Sequence, residues 1–499
     1  MVCGTTSDAG KSITVAGLCR VLVRRGVSVA PFKAQNMALN SGVTATGHEI
    51  GRAQYLQAEA AGIEPEVSMN PILLKPTSER ASQVVLNGVP YGLMSAAEYH
   101  EHKPLLLRTV LESLASLRAR FDVVLLEGAG SPTEINLLPH DIVNLRIAHE
   151  ADLNAVVVGD IDRGGVFAAF YGTVALLPEH LRRLVGGFVV NKFRGDPALL
   201  FDGPAQLEAA CGVPTLGVVP MIRDLDIDAE DSLALASRHN RSADAVLDVA
   251  VIGLPRLSNF TDFDALAQEP GVGVRYVRSP GELGQPHLVV VPGSKSTVED
   301  LAWIRSSGLA PAIVRSDATV LGICAGFQML GREIVDADRV ESSMVSVPGL
   351  GLLPVTTRFE PTKVLRRATG RAYGASLQGY QIHHGRVVAD AGAEGWLDFD
   401  GAPDGVRAGR VLGTTVHGLF DADGFRRSFL AAVAARAGVA LPASAVDYAA
   451  IRSARLDRLA DVFEEHLDLD RIIDLITTPP PARRGPPSSP SVRGQAFLS

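Results

Sequence analysis

The chain has 499 residues, 46% of them apolar and 20% charged, and a formal net charge of −8. That length exceeds what one hydrophobic core organises, which implies two domains plus connections, and the composition excludes a disordered or collagen-like chain. The negative balance argues against a general nucleic-acid binder and no apolar run is long enough to span a membrane, so neither nucleic acid nor membrane is an expected partner.

From residue 1 to 235, β-branched runs alternate with helical patterns, which predicts a parallel sheet wrapped by crossover helices. Strands are predicted at 27–32, 123–126, 155–159, 187–191 and 215–219, and helices at 11–25, 49–61 and 96–120. A polar segment at 236–247 reads as a linker. A second α/β domain is expected over 248–445, with strands at 249–254, 272–277, 288–291 and 320–323. Residues 446–476 read as a helical region, and the Pro/Ser/Arg-rich tail 477–499 as disordered. Four scattered cysteines, Cys3, Cys19, Cys211 and Cys324, form neither a metal knuckle nor a disulfide framework, and no signal-peptide pattern precedes the first motif. A reducing cytoplasm is the expected compartment.

Gly4-Thr-Thr-Ser-Asp-Ala-Gly10-Lys11-Ser12 resembles a Walker A loop, in which backbone N–H groups and a helix N-terminus surround the phosphates of ATP. Gly10 and Lys11 would cradle and neutralise the phosphates, and the Ser12 hydroxyl would ligate Mg²⁺. The loop is one residue longer than the usual pattern, as in dethiobiotin-synthetase-like enzymes. The bland alternative is a glycine-rich turn before a helix. Only Met1-Val2-Cys3 precede it, so either the true start lies upstream or the domain tolerates a short first strand.

Glu127 closes the apolar run 123–126, at the strand edge where open α/β sheets bind ligands. It is a second Mg²⁺ ligand or a solvated strand-end acid. Lys33, after the strand 27–32, is assigned to phosphate or a substrate carboxylate, with a surface lysine equally compatible with its spacing. Asp160-Ile-Asp162-Arg163 and Asn191-Lys192-Phe193-Arg194-Gly195-Asp196 end two further strands, and Asn191 is the nucleotide-binding candidate among them.

In the second domain, Val320-Leu-Gly322-Ile-Cys324-Ala-Gly326-Phe-Gln runs from a strand into a helical pattern. Glycines two residues either side of the cysteine parallel a nucleophile elbow. A buried structural cysteine is the alternative. His417, in Gly413-Thr-Thr-Val-His417-Gly-Leu-Phe, is the candidate base for Cys324. The position two residues on, where class I glutamine amidotransferases usually carry an acid, is Leu419, so a Cys-His dyad is expected. Pro292-Gly293-Ser294-Lys295-Ser296 is a candidate oxyanion loop. His383 and His384 either line the glutamine pocket or are structural.

With these motifs, the chain resembles the cobyric acid synthase family, glutamine-dependent amidotransferases of cobalamin biosynthesis. The likeness runs from Gly4 to about Leu467. Its most specific segments are Phe32-Lys-Ala-Gln-Asn-Met-Ala-Leu-Asn-Ser41, Met69-Asn-Pro-Ile-Leu-Leu-Lys-Pro-Thr77, Glu127-Gly-Ala-Gly-Ser-Pro132, Gly159-Asp-Ile-Asp-Arg-Gly-Gly-Val-Phe167, Asn191-Lys-Phe-Arg-Gly-Asp196 and Ser258-Asn-Phe-Thr-Asp-Phe-Asp264. The resemblance implies a phosphate-loop, dethiobiotin-synthetase-like domain followed by a class I glutamine amidotransferase-like domain. It also implies a corrinoid substrate, adenosylcobyrinic acid a,c-diamide, amidated at its b, d, e and g carboxylates with one ATP and one glutamine for each. Gln381 departs from the family's usual Glu. A homo-oligomer is left open. Three rivals are set apart by sequence features. Cobyrinic acid a,c-diamide synthase pairs the same kinds of domain but differs around Asn36, Ser131 and Arg163. A partition-type ATPase carries an extra lysine near the loop start, where this chain has Thr5 and Thr6, and lacks a Cys-His domain. A scaffold with a decayed glutaminase would not keep Lys11, Glu127, Cys324 and His417.

Overall fold

The computed structural model describes residues 1–77, 81–222, 225 and 244–481. The chain divides into two compact units, one made of Met1–Lys11, Gly128–Met221 and His466–Ser499, the other of Ser12–Glu127 and Ile222–Glu465.

The first unit carries a parallel sheet in the order Val2–Gly4, Ala155–Asp160, Val185–Phe193, Thr215–Pro220. The three residues before the phosphate loop do form a strand, paired through Val2↔Val156, Cys3↔Val157 and Gly4↔Val158. Helix Val166–Leu176 covers the sheet with Val166, Phe170 and Val174, and Phe170 stacks on Phe188 with ring centroids 4.5 Å apart. Both faces of a parallel sheet are buried, and its strands accordingly read as runs of Val and Phe.

In the second unit the strands Val29–Phe32 and Val123–Leu126 pair in parallel. A larger parallel core follows the order Val272–Val277, Leu247–Ile252, Leu288–Val291, Thr319–Ile323, Val411–Thr414, with Val406–Ala408 antiparallel at the edge. Apolar clusters lie on both sides of it, one around Val289, Leu301 and Phe327, the other around Val290, Phe420 and Phe429.

The predicted strands at 123–126, 272–277 and 288–291 coincide with those observed, and the others shift by a few residues at their ends. Two expectations are corrected. The helix predicted at 49–61 starts at Arg52, because Glu49–Gly51 is a strand antiparallel to Ser41–Val43. Residues 72–95, where no strand is predicted, form an antiparallel meander of Ile72–Pro76, Ala81–Leu86 and Val89–Ser95. Its signal was present: Asn87 and Gly88 both take positive φ, 48° and 77°, as a two-residue hairpin turn requires. The C-terminal region is two helices, Tyr448–His466 and Leu469–Thr477. Of the expected linker, residues 236–243 lie outside the described residues, as do 482–499 of the expected tail.

Candidate functional site

The phosphate-loop motif runs across the boundary between the units, and each side has its own geometry. In the first unit Lys11 is buried, and its Nζ donates to the carbonyls of Thr6 (2.8 Å), Ser7 (3.1 Å) and Gly130 (3.2 Å). The ammonium is thus curled inside the loop, held by neutral oxygens. Gly10 has φ +102°, and a Cβ there would stand 2.1 Å from Asn191 Nδ2. That same nitrogen donates to the Ala9 carbonyl at 2.9 Å, so Asn191 braces the loop. The charged strand ends pair with one another. Lys192 bonds Asp160 at 2.8 Å, Arg194 bonds Asp162 at 2.6 Å, and Arg163 bonds Asp8 at 2.7 Å.

In the second unit the Ser12 hydroxyl donates to Glu127 Oε1 at 2.8 Å, and Lys33 Nζ reaches the same oxygen at 2.8 Å. Glu127 Oε2 accepts from Gln57 Nε2 at 2.6 Å. Glu127 is therefore a buried, fully engaged carboxylate and not a solvated strand end, and Lys33, 4% exposed, is no surface lysine. A hydroxyl and a carboxylate within hydrogen-bond reach are the hard oxygen donors that Mg²⁺ takes, so these residues fit that ion.

Cys324 stands between the strand Thr319–Ile323 and the helix Ala325–Leu330, with φ 51° and ψ −109°. A non-glycine residue in that region is strained, and such strain clusters at functional sites. The flanking glycines are required sterically. A Cβ at Gly326 would lie 1.8 Å from the Val291 carbonyl oxygen, and one at Gly322 would lie 2.7 Å from the backbone of Phe327. Parallel pairing of Ile323 with Thr414 places the next strand alongside, and the Cys324 N–H donates to the Thr414 carbonyl at 2.8 Å. His417 follows three residues later and lines the same cavity as Cys324.

The third member of this group was missed in the sequence. Asp262, in the short turn Phe260–Phe263, lies 2.7 Å through Oδ2 from His417 Nδ1, and its Oδ1 accepts from the Gly418 N–H at 3.0 Å. The expected dyad is thus a relay of Cys324, His417 and Asp262, with the acid drawn from a remote loop instead of position 419. Burial opposes the imidazolium, but the charge of Asp262 and the Cys324 sulfur outweigh it and push His417 up to about 10. Because that value exceeds the ordinary 6.5, this pairing stabilises the fold fully below pH 6.5, and the contribution is lost as pH rises through about 10. Asp262→Asn should therefore move the alkaline limb of glutamine hydrolysis to lower pH and reduce its rate by roughly 10³–10⁴-fold, as loss of an orienting acid does elsewhere. An unshifted pH profile would remove Asp262 from this role.

Cys324 and His417 open onto a cavity of about 40 Å³, lined also by Ser294, Lys295, Lys363 and the predicted pair His383 and His384. Gly293 of the candidate oxyanion loop is close to His417, where a Cβ would stand 2.9 Å from its Cε1. His383 is buried and pushed down to about 3 by desolvation, so it is neutral, and its Nε2 has no partner among the described residues. Gln381 is 4% exposed, and its Nε2 donates to Asp404 Oδ2 at 2.8 Å and to Thr415 Oγ1 at 2.6 Å. Arg366 donates to its Oε1. Gln381→Glu would set a carboxylate against Asp404. We expect a loss of about 1–3 kcal/mol in stability at neutral pH. The gap should narrow toward pH ~5 as the new acid takes up a proton and donates again, which thermal melts at the two pH values would read.

Residues 1–234 match the family model described as a CobQ/CobB/MinD/ParA nucleotide binding domain. Residues 248–425 match the one described as a CobB/CobQ-like glutamine amidotransferase domain. The chain is similar to the cobyric acid synthase of Streptomyces avermitilis, with 53% identity over 98% of this chain and 99% of that protein. The cobyric acid synthase of Nocardia farcinica is 52% identical over 96% of each chain. That of Mycolicibacterium paratuberculosis is 52% identical over 97% of this chain and 98% of its own. The first model also covers MinD and ParA proteins, so alone it would leave a nucleotide switch open. The second model and relatives that run the full length close that option, and no helix among the described residues is long and apolar enough to cross a membrane. With both domain models matched in order and half or more of the residues identical from end to end, the chain belongs to the cobyric acid synthase family.

Proposed function

We propose that this protein uses ATP and glutamine to amidate the b, d, e and g carboxylates of adenosylcobyrinic acid a,c-diamide in the cytoplasm. The synthetase half is assigned to residues 1–235, joined through 236–247 to a glutaminase half at 248–445, with 446–476 and the tail 477–499 following. The observation that carries this reading is Cys324, held in a strained turn and sharing a cavity with a His417 that Asp262 orients.

In this reading Cys324 and His417 are the catalytic residues. His417, raised to about 10, takes the proton of Cys324, and the thiolate attacks the amide carbon of glutamine. The C–N bond breaks as His417 returns that proton to the leaving nitrogen. Ammonia departs, and water then releases glutamate from the thioester. Gly293 and its neighbours offer backbone donors to the oxyanion. His383 Nε2 and Gln328 Oε1, buried without partners among the described residues, are available to glutamine's own polar groups.

Gly10, Lys11 and Asn191 would hold the nucleotide's phosphates, and Ser12 and Glu127 would hold Mg²⁺. Lys33 orients the Glu127 carboxylate through their 2.8 Å ion pair. When bound, Mg²⁺ would supply neutralisation of phosphate charge during transfer. The corrinoid carboxylate is activated as an acyl phosphate, and ammonia displaces phosphate to leave the amide. The test is to incubate the purified protein with the a,c-diamide, ATP and glutamine and follow the corrinoid by mass spectrometry. Stepwise conversion of its remaining carboxylates is expected. No change with this substrate, but conversion of the unamidated corrinoid at a and c, would favour the a,c-diamide synthase activity.

A further inference from the structure

Asn40 is 2% exposed, yet neither its Nδ2 nor its Oδ1 has a hydrogen-bond partner among the described residues. Leaving both halves of a buried amide unpaired is costly, and native structures rarely do so without a reason. The backbone around Asn40 is tied in two directions.

On one side its carbonyl accepts from the N–H of Arg52 at 3.2 Å. Arg52 opens the helix Arg52–Ala60, and that helix supplies the Gln57 amide bonded to Glu127. On the other side the Ser41 N–H donates to Asn259 Oδ1 at 3.3 Å. Asn259 donates to the Tyr380 hydroxyl at 3.1 Å, and the Tyr380 ring stacks on His417 with centroids 5.4 Å apart. The Ser41 hydroxyl donates to Glu49 at 2.9 Å and accepts from Lys75 at 2.8 Å. Glu49 is paired with Lys75 and, at 2.6 Å, with Lys363, and both lysines line the Cys324 cavity. Asn40 is therefore next to Ser41, which bonds the cavity-lining residues Lys75 and Asn259, and its carbonyl is one hydrogen bond from the helix that supplies Gln57 to Glu127.

We propose that ammonia leaves the Cys324 cavity past the Glu49–Lys75–Lys363 cluster and is received by the Asn40 amide on its way toward Glu127. This rests on the reading that Cys324 releases ammonia for use elsewhere in the chain. Ammonia both donates and accepts hydrogen bonds, and an amide with a free donor and a free acceptor matches it on both counts. The cationic wall acts on protonation state. Lys75, Lys295 and Lys363 together repel NH₄⁺ but not NH₃, so the nitrogen moves in its nucleophilic form. Burial lowers the affinity of Lys75 for its own proton to about 8, and of Lys295 in the same direction, while Glu49 holds Lys75 charged. No bond is made or broken in transit.

Asn40→Leu keeps the side chain's shape and removes both polar atoms. The expected result is a melting temperature equal to or above that of the unmodified protein, with glutamine hydrolysis and ammonium-driven amidation retained. Glutamine consumed per amide formed should rise several-fold, because ammonia escapes before use. Asn40→Ala should give the same imbalance and covers the case in which leucine disturbs the fold. An unchanged ratio in both variants would overturn the proposal. So would parallel loss of amidation from both nitrogen sources with a lowered melting temperature, the mark of a structural residue. If the unmodified protein formed no amide from either source, the functional reading itself would fall and this inference with it.

Discussion

Replacing Cys324 with alanine is expected to eliminate glutamine hydrolysis and glutamine-driven amidation, by about 10⁵-fold or more, since no other nucleophile occupies the turn. Amidation driven by high ammonium at mildly alkaline pH should survive, because Cys324 and His417 act on glutamine and not on the corrinoid carboxylate. His417→Ala should show the same selectivity in milder form, losing roughly 10²–10⁴-fold, the usual worth of general acid–base help. Parallel assays with each nitrogen source, on variants that melt like the unmodified protein, read both effects. Full glutamine-driven amidation by Cys324→Ala would refute the nucleophile assignment. Loss of the ammonium-driven reaction as well would refute the division of labour.

Lys11→Ala should have the opposite signature. Its ammonium is bonded to the carbonyls of Thr6, Ser7 and Gly130, and a neutral methyl leaves the loop without the charge that offsets phosphate. Activation of the carboxylate precedes any attack by nitrogen, so amidation should fall by at least about 10³-fold with glutamine and with ammonium alike. Glutamine hydrolysis at Cys324 should persist. Near-normal amidation at limiting ATP would take Lys11 out of the reaction. Together the two variants form a crossed pair in which each abolishes one half-reaction and spares the other.

Local rules made much of this protein legible in its sequence. The phosphate loop, the turn at Cys324 and the strands at 123–126, 272–277 and 288–291 depend on backbone conformation and on side chains within a few positions. Gly322 and Gly326 announce the elbow because no other residue fits so near a neighbouring backbone. The Asn87-Gly88 turn is equally local, since its dipeptide favours positive φ at both positions.

What only the tertiary structure decided are the partners of buried charges. Glu49 reads as the start of a helix by periodicity, but its carboxylate meets Lys75 and Lys363, and the backbone there is a strand that presents it to them. Lys33 and Glu127 read as two separate strand-end charges until parallel pairing of their strands brings them to 2.8 Å. Asp262 carries no local mark of its role, because it precedes His417 by 155 residues and reaches it only when the core sheet brings their loops together. The physical reason is common to all three. Chain conformation is set by neighbours in sequence, whereas a charge buried away from water must be matched by whichever opposite charge the fold brings within reach.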